Sequence, residues 1–114
     1  MAVPRKRPDD PLAFIQKQLR QRHVYWTYHV NVRLAGRYIT RQQILDAVGS
    51  YEVVESYSDD KYLPSYLLMG AGGGRPFHVL VGADVEGDNV RVVTAYHPDP
   101  AEWEGDLRTR RTRP

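Results

Sequence analysis

The stretch FHVLVGADVEGDNVRVVTAY, Phe77–Tyr96, decides the fold class. Its two arms are rich in β-branched and aromatic residues and flank Gly87-Asp88-Asn89, three residues suited to a tight reversal. The arms predict strands over Phe77–Ala83 and Val90–Tyr96. Pro98 and Pro100 close off the second, because proline cannot donate to a sheet ladder. Toward the N-terminus, Gly70–Gly74 reads as a loop and Tyr66–Met69 as a strand with Pro64 kept at its start. Ser58-Asp59-Asp60 is a turn and Tyr51–Tyr57 a further strand. Connections this short imply an antiparallel meander. The loop Gly70-Ala71-Gly72-Gly73-Gly74-Arg75 has the glycines of a phosphate cradle but neither the Lys-[Ser/Thr] pair nor the following helix, since Arg75-Pro76 leads into a strand.

Further upstream the pattern turns helical. Asp10 is placed to cap a helix whose first position is Pro11, where the missing N–H costs nothing, and Leu12, Ile15 and Leu19 recur at helical spacing. This helix is predicted to fray near Arg22-His23. Thr40-Arg41-Gln42-Gln43 is a capping box, with Ile44, Leu45 and Val48 as the buried face behind it and Gly49 predicted to end the helix in the left-handed conformation. Residues 24–38 read two ways. Val24, Trp26, Tyr28, Val30, Val32 and Leu34 occupy every second position, the period of a strand, whereas His29, Arg33 and Arg37, four apart, would share one face of a helix.

The expected fold is therefore α+β: two to three N-terminal helices packed on one face of a roughly four-stranded antiparallel or mixed sheet. The 114 residues suit one core and no more. Residues 1–9 read as a flexible basic arm, 10–107 as a single domain and 108–114 as a disordered, Arg-rich tail. Charge is unevenly spread: residues 1–50 carry net +6, residues 51–107 net −8, and the tail holds Arg108, Arg110, Arg111 and Arg113. Those arginines are expected to lie against the nearby acids Glu86, Asp88, Asp99, Glu102, Glu104 and Asp106. No apolar run approaches the roughly 18 residues of a membrane span, so a cytoplasmic protein with no membrane partner is expected. The absence of cysteine excludes a disulfide framework, thiolate catalysis and Cys-ligated zinc. The histidines His23, His29, His78 and His97 show no HxxxH or HExxH spacing, and the serines sit outside any GxSxG elbow, so neither a metal site nor a cofactor is expected.

What remains suits phosphodiester cleavage without a metal, which needs a base for the 2′-hydroxyl, cations for the phosphorane and an acid for the leaving oxygen. His29 or His78 is a candidate base or acid, Arg33 and Arg37 candidate phosphate clamps, and Thr94 and Tyr96 place two hydroxyls on one face of a strand end. A structural account competes: His78 as a cross-strand packing residue, Tyr96 as a core aromatic, and Arg33 and Arg37 as partners of Glu52 and Glu55.

Thr27-x-His29-x-x-x-Arg33-x-x-x-Arg37-x-Ile39-Thr40-x-x-x-Ile44, Glu55-x-Tyr57, Arg75-Pro76-x-His78-Val79-x-Val81 and Val93-Thr94-x-Tyr96 together resemble the signature of the family of domain of unknown function 4258, over about residues 23–100. That family is similar in layout to small RelE-like and BrnT-like bacterial toxins, whose helices precede an antiparallel sheet and whose activity is ribonucleolytic. The resemblance implies a short strand near 24–27 and a helix over about 29–37, the long strand staying open as the alternative. It implies a metal-independent, toxin-like ribonuclease using His29, Arg33, Arg37, His78, Thr94 and Tyr96, with RNA as substrate and a cognate antitoxin or another protein as partner. The alternative is a non-catalytic protein- or nucleic-acid-binding module in which the same residues hold helix to sheet.

Overall fold

Alternation of apolar side chains at Phe77, Val79, Val81 and Ala83 fixes one face of the longest hairpin as the buried one. The computed structural model describes residues 6–27, 39–71 and 74–112. In chain order it contains α1 (Pro11–Arg20), β1 (Val24–Trp26), α2 (Arg41–Asp46), a 3₁₀ turn (Val48–Ser50), β2 (Glu52–Tyr57), β3 (Ser65–Gly70), β4 (Phe77–Asp84) and β5 (Asn89–Tyr96). The strands form one mixed sheet in the order β1-β5-β4-β3-β2. β2 to β5 make the expected antiparallel meander. Among the described residues the sheet has five strands rather than four, because the short strand at 24–26 joins the sheet edge parallel to β5, Val24 opposite Val90 and Trp26 opposite Val92. The expected helix over 29–37 lies outside the described residues.

Two α-helices are present among the described residues, each started as the sequence predicts. Asp10 accepts from the Ala13 amide at 3.1 Å with Pro11 in the first helical turn. At α2, Thr40 Oγ1 accepts from the Gln43 amide at 3.0 Å while Gln43 Oε1 accepts from the Thr40 amide at 2.7 Å. The end of α2 differs from expectation. Ala47, at φ −79° and ψ 0°, caps it, and the chain tightens into the 3₁₀ turn, so Gly49 takes no left-handed conformation. At the hairpin tip the positive φ falls on Asp88 (55°) and not on Gly87, an aspartate being among the few side chains that tolerate it.

One face of the sheet packs on the helices. Ile15 and Leu19 of α1, Ile44 of α2 and Tyr51 join Tyr66, Leu68, Phe77, Val79, Val81, Ala83, Val90 and Val92 in one core. Gln18 is fully buried in α1; its Nε2 donates to Asp88 at 2.7 Å and its Oε1 accepts from the His23 ring at 3.2 Å, tying the helix to the β4–β5 tip. No described helix is long and apolar enough to cross a membrane.

Candidate functional site

The opposite face of the sheet carries the chemistry, and two β-bulges put it there. In β2 the pairing passes from Val53↔Leu68 to Glu55↔Leu67, leaving Val54 over, so Glu52, Glu55 and Tyr57 all share the face of Leu67 and Met69. In β5 it passes from Val92↔Val81 to Thr94↔Leu80, leaving Val93 over. Val90 and Val92 therefore point into the helix-side core, while Thr94 and Tyr96 point to the other side with Leu80 and His78. Residues 99–112 then run back across this face as a strap, Trp103 and Leu107 meeting His78 and Arg108 and Arg110 meeting Glu52 and Glu55.

His78 is completely buried under the strap. Its Nε2–H donates to the Leu107 carbonyl at 2.7 Å, an assignment forced by the acceptor, which leaves Nδ1 as the unprotonated nitrogen. Nδ1 is buried with no hydrogen-bond partner among the described residues. Tyr96 meets the imidazole edge-on at 5.5 Å between ring centres, and Trp103, itself buried, does so at 4.5 Å and 87°. Burial outweighs the carbonyl bond and the nearby Glu55, and holds the imidazole below its ordinary value, so the ring is neutral near pH 7.

Above Trp103 lies Arg110, its Cζ 4.6 Å from the ring centre. The guanidinium is bidentate on Glu55, Nε to Oε2 at 2.8 Å and Nη2 to Oε1 at 3.0 Å, and the Tyr57 hydroxyl donates to the same carboxylate. Arg110 is the main reason the Glu55 carboxyl sits below its ordinary range. Burial raises the Tyr96 phenol, so it stands as a proton donor rather than a phenolate. An open groove of about 460 Å³ beside the strap is lined by Tyr96, His97, Asp99 and Glu102.

Of the six residues picked from the sequence, the structure brings His78, Thr94 and Tyr96 onto one face; His29, Arg33 and Arg37 lie outside the described residues. No group of three or more metal-ligating acids and histidines occurs among the described residues. Glu55, Tyr57, Trp103 and Arg110 were missed as neighbours of His78. The only sequence signal for the first two was the Glu55-x-Tyr57 piece, and for Arg110 none beyond its charge.

The carboxylates that a structural account would assign to Arg33 and Arg37 are engaged from the other end of the chain: Glu52 by Arg108 and Glu55 by Arg110. The tail therefore reaches β2 rather than only the nearby acids, of which Glu104, 3.1 Å from Arg111, is the partner found among those expected. Its described part, 108–112, follows the strap; hydrogen bonds within the strap, from the Glu104 amide to Thr109 and from the Arg111 amide to Glu102, turn the chain back toward β2.

No curated protein and no solved structure matches the chain. Over residues 26–97, more than half its length and the part that carries Glu55, Tyr57, His78, Thr94 and Tyr96, the chain matches the family described as Domain of unknown function (DUF4258), and it belongs to that family.

Proposed function

We propose that the chain is a metal-independent, toxin-like ribonuclease of the bacterial cytoplasm, acting at the strap-covered face of the sheet. One observation carries the reading: two β-bulges gather an imidazole, two phenols, a threonine hydroxyl and two carboxylates from the family segment on a single face. In this reading His29 takes the proton of a ribose 2′-hydroxyl, whose oxygen attacks the adjacent phosphorus. Arg33 and Arg37 neutralise the phosphorane. Tyr96, held protonated by its surroundings, gives its proton to the departing 5′-oxygen, leaving a 2′,3′-cyclic phosphate. His78 and Thr94 orient the Tyr96 end of the site. The test is cleavage of a defined RNA in EDTA by the purified chain, His29→Ala and Tyr96→Phe. Each substitution is expected to slow cleavage by about 10²-fold or more, the usual share of a general acid or base. Intact RNA with the wild-type chain, together with unchanged growth inhibition by His29→Ala, ends the proposal.

A second reading, a non-catalytic interaction module partnered by an antitoxin-like protein or by RNA, is favoured by one specific fact. His78 spends its only N–H on a backbone carbonyl and its ring on two aromatic neighbours, as a packing residue does. That reading expects His78→Ala to lower stability by about 1–3 kcal/mol and to leave partner binding intact.

A further inference from the structure

We infer that residues 99–112 are a lid, one that opens as a unit without unfolding the sheet, and that the face beneath it is used only when the lid is open. The inference rests on the ribonuclease reading for what the face does, but not for whether the lid opens.

Four observations carry it. The strap begins just beyond the family segment, which ends at residue 97, yet it lies over the family residues Glu55, Tyr57, His78 and Tyr96. It is self-supporting. Trp103 bridges to Arg110, the Glu104 amide donates to Thr109 at 2.8 Å and the Arg111 amide to Glu102 at 2.9 Å. Asp99 and Asp106 cap its two turns by accepting from the amides of Ala101, Arg108 and Thr109. Such a unit keeps its own hydrogen bonds when it swings away.

Its grip on the sheet is by contrast narrow. Among the described residues it includes the buried Trp103, the Leu107 carbonyl on His78, and Arg108 and Arg110 on the carboxylates of β2, with Arg110 also reaching the Tyr57 hydroxyl. The Arg108–Glu52 pair, about half exposed on both sides, holds weakly and is screened by salt, and the bidentate Arg110 fork on Glu55 is the firmer of the two.

Leu107, at φ 59°, is held in the strap's own turn, its amide donating to the Glu104 carbonyl, and keeps that conformation when the strap moves as a unit. Finally, the closed state carries a cost that opening relieves. Nδ1 of His78 is sealed from water without a partner, and lifting the strap hydrates it. A segment that is internally bonded, held to the sheet at few points and closed over an unpartnered nitrogen has the makings of a two-position element.

The experiment uses the full chain. Because it contains no cysteine, Glu52→Cys/Arg108→Cys gives a unique thiol pair across the gap between lid and β2. A reductant-cleavable bifunctional thiosulfonate linker then staples the lid shut. RNA cleavage by the stapled protein is expected to be at least tenfold slower than by the same sample after reductant, and Arg108→Ala/Arg110→Ala to be faster than wild type. Where the reduced sample cuts RNA, an equal rate before reductant overturns the lid.

Amide hydrogen exchange supplies an arm independent of activity. The Glu104 and Arg111 amides are expected to exchange at least 100-fold faster than the β4 amides of Val79 and Val81, and faster again in Arg108→Ala/Arg110→Ala. If they exchange only together with β4, the strap is an integral layer of the fold and the lid is overturned, whatever the RNA result. If no form cuts RNA but the strap amides open locally, the ribonuclease reading fails and the lid stands.

Discussion

Gly70 shows how one hydrogen atom in place of a methyl group sets the seat of a helix. A Cβ there would lie 2.5 Å from Cε1 of Tyr51. Tyr51 cannot retreat, because its hydroxyl donates to the Ile44 carbonyl at 2.6 Å and its ring stands edge-on to Phe77 at 6.3 Å. Gly70→Ala is therefore expected to cost about 1–3 kcal/mol in urea unfolding, the range for overpacking a filled site. Gly49→Ala, with open space around the added carbon, should leave stability unchanged or raise it by up to about 1 kcal/mol. A similar loss in both would mean that Tyr51 is not the obstacle. The roles of individual residues were only partly readable in advance. His78 stood out by type and Tyr96 by its place at a strand end, but Trp103 sat alone among acids beyond the last strand and Arg110 was one arginine of the charged tail, with nothing local to mark either. Their meaning comes from β2 and β4, far away in the chain.

Elements whose signals are local could be read directly. The capping box at Thr40 and the Asp10-Pro11 start need only neighbouring residues, and both helices begin where those residues stand. α2 has six residues, too few to be stable alone, so its cap matters more than in a long helix. Thr40→Ala should cost about 1 kcal/mol, within the usual range of about 0.5–2 for a lost N-cap, and should speed exchange of the Gln43 amide. An unchanged urea midpoint would show that the Tyr51 contact alone holds the helix. The bulges were not readable. Without them, strict alternation would set Val90, Val92, Thr94 and Tyr96 on one face, and Glu55 and Tyr57 on the face opposite Glu52. A bulge is decided by how two strands fit each other, and neither run of residues states it alone. The end of α2 departs from the sequence expectation for a similar reason: Gly49 suits a left-handed cap, but the chain must reach β2, and a 3₁₀ turn takes it there.

For the molecule as a whole, acid should loosen the fold in two successive windows. Burial lowers the His78 imidazole, so below about pH 6.5 the unfolded chain takes up a proton that the folded chain refuses. His78 therefore favours folding above that pH and ceases to as pH falls. The Arg110 pair lowers the Glu55 carboxyl, so its contribution is full above about pH 4.3 and is lost as pH drops through the folded value. Urea midpoints measured from pH 7.5 to 3.5 should fall throughout; His78→Gln should flatten the upper window and Glu55→Gln the lower. A midpoint that rises on acidification would contradict both assignments. The parallel seat of β1 beside β5 has a consequence in time. Val24 to Trp26 have no neighbour in the sheet until Val90 to Val92 have left the ribosome, and α1, which packs on β4 and β5, must wait as well. The meander can close through short loops, whereas the first quarter of the chain docks only after nearly all of it exists. Until then the apolar stripe of α1 is uncovered, which makes the unfinished chain a natural client for whatever shields nascent helices.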